Sequence, residues 1–250
     1  MSLEILKDKK PPAERPRGAS ADGDAPESPG SLAVQLEGIA REPRPSAVRR
    51  VLVRAFQALE PRRAVLTTGL GMEGCALLAM AAPLGLPLRV VFLDTGFHFS
   101  ETLALFEQLE RRYPELAFEA VRPEHTPAEQ AEREGDELWL RDPDRCCALR
   151  KVEPLTRRLG DADLWLSAIG RSQSDDRAAQ PIFAPTSRFG VPKLSPLAAW
   201  RRADVWRYVT RHDLPFHPLH RRGAVTAADR RVAAQVQRME RQVMARDVAP

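Results

Sequence analysis

Three short stretches of this chain could handle a small anion, and a fourth holds thiols. The run Thr67-Thr68-Gly69-Leu70-Gly71-Met72-Glu73-Gly74 places glycines where a backbone must turn sharply, just ahead of an apolar segment from Cys75 to Ala82. A helix opened by such a loop aims its first amides and its dipole at whatever lies in front, which favours phosphate or sulfate. An ordinary strand-to-helix turn would use the same residues, and the spacing matches neither the Walker loop nor the dinucleotide fingerprint. Asp94-Thr95-Gly96, with His98 close behind, is a second turn with polar side chains. In the third stretch Arg171 and Arg177 flank Gln173 and Ser174. Guanidinium groups are permanently charged forked donors for sulfate or phosphate oxygens; the plainer alternative is pairing with Asp175 and Asp176.

The thiols are Cys146 and Cys147, with Lys151 shortly after them, and Cys75. Adjacent cysteines rarely bridge each other, and on one helix their side chains point roughly 100° apart, which suits a cluster of several irons better than one mononuclear metal. Cys75 falls just after the glycine loop, where a helix N-terminus could make a thiol reactive. Apolar Ala76, Leu77 and Leu78 follow it, so a buried core thiol is the plainer reading. An odd count of three cysteines argues against structural disulfides and for reduced thiols. The five histidines form no ligand constellation.

Elements must bring these stretches together. Residues 63–68 read as a short strand, followed by the glycine loop and the helix from Cys75. A second strand over residues 88–93 runs into Asp94 and then a helix from Ser100, its expected N-cap, to Arg112. A third strand covers residues 117–121, a charged helix starts near Thr126, the double-cysteine helix spans residues 145–159, and a fourth strand covers residues 163–169. Two amphipathic helices, over residues 32–39 and 47–59, precede all of this. Strands alternating with helices predict a doubly wound α/β fold with a mainly parallel sheet. Such sheets bind ligands beyond the carboxyl ends of their strands, where every one of the anion-handling stretches falls.

Residues 1–30, rich in proline, serine, glycine, aspartate and lysine, hold too little apolar surface to offset the entropy of ordering and are expected to form a disordered tail. The folded domain is expected over residues 31–223. Residues 224–250 read as an arginine-rich helical tail with Val232, Val236, Met239 and Val243 on one stripe. With 38 basic against 34 acidic residues the surface is nearly balanced, which gives no reason to expect a nucleic-acid partner. Nothing approaches the eighteen or so uninterrupted apolar residues of a membrane span, and the N-terminus lacks the apolar core of a signal peptide, so a soluble cytoplasmic protein is expected.

The same stretches resemble the sulfonucleotide reductases, which act on adenosine phosphosulfate (APS) or phosphoadenosine phosphosulfate (PAPS). Residues 67–74 look like that family's modified pyrophosphatase loop, and Leu93-Asp94-Thr95-Gly96 with Glu101-Thr102 looks like its Leu-Asp-Thr-Gly signature. Cys146-Cys147 through Leu155 resembles its tandem-cysteine segment, residues 171–177 its arginine segment, and Lys193-Leu194-Ser195-Pro196-Leu197 with Trp200 its Lys-x-x-Pro-Leu-x-x-Trp run. Asp204-Val205-Trp206 and the run from Leu214 to His220 complete the series, in order, over residues 31–223.

The resemblance implies an adenine nucleotide α-hydrolase-like fold and a role in assimilatory sulfate reduction, with APS or PAPS as ligand. It implies a substrate site at Thr67, Thr68, Gly69, Gly71, Glu73, Asp94, Thr95, Gly96, Lys151, Arg171, Gln173, Ser174 and Arg177. It also implies a thioredoxin-like thiol donor. In the family, tandem cysteines and a later Cys-x-x-Cys hold a 4Fe-4S cluster, and a C-terminal cysteine attacks the substrate sulfur. Here Cys146 and Cys147 supply half of the cluster set, no cysteine follows Cys147, and Gly170 stands where one of two family arginines is expected. The catalytic residue is therefore unassigned. Three readings follow: a reductase completed by a partner subunit or a second copy, a redox-inactive nucleotide-binding subunit or sensor, and an adenylating ATP pyrophosphatase of the same superfamily.

Overall fold

The computed structural model describes residues 28–173 and 178–218. The chain enters through helix α1 (Pro29–Ala40), capped by the Ser28 hydroxyl, which accepts from the Ser31 amide at 3.2 Å. Proline at the first helical position suits that start, so α1 begins two residues inside the stretch expected to be a tail. Residues 1–27, and with them most of the expected N-terminal tail, lie outside the described residues, as do 219–250 with the expected C-terminal helix. Helix α2 (Pro45–Leu59) buries Val48, Val51, Leu52, Ala55 and Phe56 along one stripe and stops at Glu60, whose left-handed backbone turns its N–H back to the Phe56 carbonyl.

Strands β1 (Ala64–Thr68), β2 (Leu88–Leu93) and β3 (Ala117–Val121) are parallel neighbours, and β4 (Leu164–Ser167) pairs in parallel with the other side of β1. Two two-residue strands, β5 (Phe183–Ala184) and β6 (Lys193–Leu194), extend the sheet to the order β3-β2-β1-β4-β6-β5; only the β5–β6 pair is antiparallel. The mainly parallel α/β fold expected from the sequence is the fold observed.

The period of two along the strands sorts side chains between two cores. Ala64, Leu66, Val90 and Phe92 face the larger core, which includes α1, α2, helix α3 (Met72–Ala81), helix α4 (Ser100–Arg112) and helix α9 (Arg202–Arg211). Val65, Val91 and Trp165 face the smaller one with Leu155 and Leu159 of helix α8 (Glu153–Leu159). Helix α3 contacts both α2 and α9 and is buried on nearly all sides, which explains why its sequence is apolar all round.

Several boundaries differ from expectation. Helix α3 begins at Met72, so Glu73 and Gly74 belong to its first turn and not to the loop. The N-cap of α4 is Phe99, whose backbone carbonyl accepts from Thr102 and Leu103; the Ser100 hydroxyl instead donates to Glu101. The charged helix α5 (Pro127–Glu134) does start at Thr126, in a reciprocal capping box with Glu129. A short α6 (Leu138–Arg141) follows. The double-cysteine helix is three pieces: α7 (Pro143–Cys147), a wider π turn (Ala148–Val152) and α8. Pro154 has no N–H for the carbonyl of Arg150, so a regular helix could not run through. Among the described residues no helix is long and apolar enough to cross a membrane.

The approach of α3 to β1 is close enough to demand a glycine: a Cβ on Gly74 would run into the Thr68 hydroxyl. Gly74→Ala is expected to destabilise the fold by roughly 1–3 kcal/mol through overpacking. Urea unfolding, with an unchanged slope and a lower midpoint, is the measurement that checks it.

Candidate functional site

Because β1 lies between β2 and β4 and all three run the same way, their carboxyl ends open onto one edge of the sheet. The chain fills β2 and β3 on one side of β1 before crossing to β4 on the other, so this edge is a topological switch point. The loops after β1, β2 and β4 share it.

The loop after β1 is held from within. Thr68 Oγ1 accepts from the Leu70 amide at 2.9 Å, Leu70 takes a left-handed backbone (φ 57°), and Gly71 caps α3 without a side chain in the way. The Cys75 amide closes the first helical turn on the Gly71 carbonyl, which leaves the amides before it for a ligand or water. Glu73, in that turn, is buried. Thr67 points to the opposite face, where it accepts from the Trp165 indole at 2.8 Å; Lys193 stands over that indole, 4.6 Å from its centre.

The turn after β2 is held from three sides. Asp94 accepts from the Gly96 amide at 3.1 Å and from Arg122 at 2.9 Å. Burial would raise its pKa, but the hydrogen bonds from Arg122 and Gly96, with His98 where its ring is protonated and the charge of Arg122, outweigh it and hold the carboxyl below its ordinary value. Gly96 takes a left-handed backbone (φ 73°) against the Pro127 ring. Arg150, 3% exposed, donates to the Thr95 carbonyl at 3.4 Å, to the His125 carbonyl at 2.8 Å and to Gln130 at 2.6 Å. His98 is partly buried; burial and the nearby Lys151 lower its proton affinity, against the opposing pull of the Leu93 carbonyl and Asp94.

Lys151 is exposed on the π turn and sits outside any ion pair among the described residues. Arg171 is engaged elsewhere. Its guanidinium binds Glu37 of α1 through both carboxylate oxygens, at 2.7 and 3.0 Å, and the Gln180 carbonyl at 2.7 Å. Gln173 ends the short 3-10 turn that Arg171 begins, after β4, while Ser174 and Arg177 lie outside the described residues. The site residues thus fall into a group on the β1 and β2 loops with Lys151, and an Arg171 that fastens α1 to the β4 loop.

Cys146 is buried and Cys147 half-buried. Burial pushes the Cys146 thiol up, opposed by a hydrogen bond with Gln130 and by the charges of Arg150 and Lys151. Cys75 is fully buried in α3 and pushed up to about 12 by desolvation. Among the described residues no group of three or more His, Cys, Asp and Glu side chains is arranged to hold a metal. Two adjacent thiols do not fit a cluster that takes four thiolates, so these residues alone do not make that site. The sequence reading missed Arg122, Gln130, Trp165 and Glu37. Arg122 had one legible signal, a cation directly after a strand that neighbours the Asp94 strand.

A family model described as the phosphoadenosine phosphosulfate reductase domain matches residues 63–232. An adenosine 5'-phosphosulfate reductase of Halalkalibacterium halodurans is 43% identical over 156 residues, which are 62% of this chain and 68% of that protein. A phosphoadenosine 5'-phosphosulfate reductase of Gloeobacter violaceus is 39% identical over 188 residues, 75% of this chain and 78% of that one. The crystal structure of a phosphoadenylyl-sulfate reductase from Candida auris, a phosphate complex, superposes with a TM-score of 0.66 at 26% identity and covers 82% of this chain and 96% of that one.

Two outcomes follow from the site's electrostatics. A carboxyl held below its ordinary value stabilises the fold above the unfolded-state value near pH ~4, and that contribution disappears as pH falls through the folded value. Asp94→Asn is therefore expected to be less stable at pH 7 and to lose less stability on acidification than the parent, as followed by urea unfolding between pH 6 and pH 2. Native thiol titration with a disulfide reagent is expected to modify Cys147 first and Cys75 only after unfolding, with peptide mapping to assign the order.

Proposed function

Since the chain belongs to the phosphoadenosine phosphosulfate reductase domain family, we propose that its strand-end loops seat a sulfonucleotide, APS or PAPS, for reduction to sulfite and the free nucleotide. The observation that carries this reading is the shared edge of β1 and β2. There the uncapped amides of α3 behind Gly71, the braced Asp94–Gly96 turn and the exposed Lys151 serve neighbouring loops. Amide dipoles and one uncommitted ammonium suit a ligand whose charge is spread over phosphate and sulfate oxygens.

In this proposal Thr68, Gly69, Gly71 and Glu73 shape the β1 side of the seat, and Thr95 and Gly96 the β2 side. Lys151 supplies charge; Gln173, Ser174 and Arg177 are assigned to the ligand from the sequence resemblance alone. Thr67 acts at one remove through its bond to Trp165, and Arg171 through the loop it fixes to Glu37. A thiolate attacks the sulfate sulfur, the sulfur–oxygen bond to the phosphate breaks, and the nucleotide leaves with that oxygen. A second thiol then attacks the bound S-sulfonate, forming a disulfide and releasing sulfite. The thiol arrangement argues against two of the three cysteines, Cys75 and Cys146, as the nucleophile. Cys75 is sealed in the core with a thiol pushed up to about 12, and Cys146 is buried as well. The second thiol comes from a thioredoxin-like donor. The same observation favours one second reading, a nucleotide-binding subunit that performs no redox step.

Calorimetry with APS and with PAPS tests the seat: micromolar or tighter binding is expected for one of them, weakened about tenfold in Lys151→Ala, the worth of one charge-assisted contact. Loss of all affinity for both nucleotides in the parent chain would overturn the proposal. Sulfite release in the presence of thioredoxin and dithiothreitol separates the reductase from the redox-inactive subunit, which binds without turnover. Pyrophosphate release from ATP would point to the adenylating alternative.

A further inference from the structure

The turn after β2 carries a histidine for which the proposed chemistry has no use. His98 lies five residues beyond Leu93, the last residue of β2, and its ring folds back so that Nε2 stands 2.8 Å from the Leu93 carbonyl oxygen. A carbonyl can only accept, so Nε2 carries a hydrogen and the neutral ring keeps its lone pair on Nδ1. The same nitrogen is 3.4 Å from Thr95 Oγ1, and the ring lies 4.8 Å from the Phe92 ring, tilted by 37°. Thr95 Oγ1 in turn accepts from the Phe97 amide at 3.4 Å, and Asp94 accepts from the Gly96 amide at 3.1 Å. The imidazole therefore closes a ring of contacts around Asp94, Thr95 and Gly96, with its apolar face seated on the strand and its N–H tied to the strand's end.

Resting on the reading above that this edge receives the nucleotide, we propose that His98 is a positioning residue. Its Nε2–H clamp on the Leu93 carbonyl holds the Asp94-Thr95-Gly96 turn in the shape that meets the ligand. Arg122 and Arg150 brace the turn from outside through Asp94 and the Thr95 carbonyl, while His98 is the brace from within. A phenyl ring in place of the imidazole would keep the contact with Phe92 and lose the donor. A glutamine reaches about as far as Nε2 and restores an N–H. The pair separates clamping from ring packing.

The test uses the full chain as His98→Phe and His98→Gln. Amide hydrogen exchange, read without any ligand, is expected to quicken about tenfold at Gly96 and Phe97 in His98→Phe, with the rest of β2 unchanged, and to return towards the parent rate in His98→Gln. A nitrogen NMR signature of the Nε2–H form is expected for His98 in the parent. With APS or PAPS, His98→Phe is expected to bind about tenfold more weakly at little change in melting temperature, and His98→Gln to recover most of the loss. Unchanged exchange at Gly96 and Phe97, or an Nδ1–H tautomer, would overturn the clamp. If exchange responds and both variants bind nucleotide as the parent does, the positioning role is overturned. If the parent binds no nucleotide, the functional reading and the positioning role both fall, while the exchange still decides the clamp.

Discussion

The site rests on one arrangement of hydrogen bonds: β1 is flanked on both sides by parallel partners, β2 through the register Thr68 with Phe92 and β4 through Thr67 with Ser167. Parallel pairing forces the three chains to leave the sheet at one edge, and no side chain has to be recruited for that. The polar contacts in the site then shape loops at a place the backbone has already chosen. Thr68 folds the first loop, Asp94 and His98 fold the second, and Arg171 ties the segment after β4 to Glu37.

The cations near this edge divide by what they hold. Arg122 is exposed yet bound to Asp94, Arg150 is buried and donates to two carbonyls and an amide oxygen, and Arg171 is paired with Glu37. Each fixes backbone, which a planar fork with several donors does well. The lysine has one compact charge on a flexible stem and stands exposed, better suited to following a ligand that arrives and leaves. A guanidinium already paired with a carboxylate would have to give up that pair before receiving an anion, so the Glu37 contact makes Arg171 a costly direct ligand.

How legible this was in the sequence depended on the range of the interactions. Strands β2 and β3 and helix α4 lie where alternation and helical spacing put them, because both patterns repeat over several residues within one element. The start of α3 was misjudged because glycines at 71 and 74 read as loop, whereas Gly71 is a cap and Gly74 is required by contact with Thr68 on another element. Strands of two residues, such as β5 and β6, have no period to detect. The engagement of Arg171 depends on a glutamate 134 residues away in sequence, and no local pattern announces such a partner. The Asp94 turn, with His98 close behind it, was recognisable as polar and glycine-containing, but its bracing by Arg122 and Arg150 comes from two other elements.

Seat and thiol chemistry are physically separable in this fold. Helix α3 can present its N-terminal amides at the edge only because α2, α9 and the sheet grip it from all sides, and that grip is what buries Cys75 and keeps it protonated. A thiol made reactive at that position would need solvent or a cation beside it, either of which would loosen the packing that fixes the amides. The tandem cysteines face a related limit: Cys146 is turned inward against Gln130 and Arg150, so the half-buried Cys147 alone is open to chemistry. A fold built this way keeps the amides offered at the sheet edge apart from the thiols sealed in its packed core.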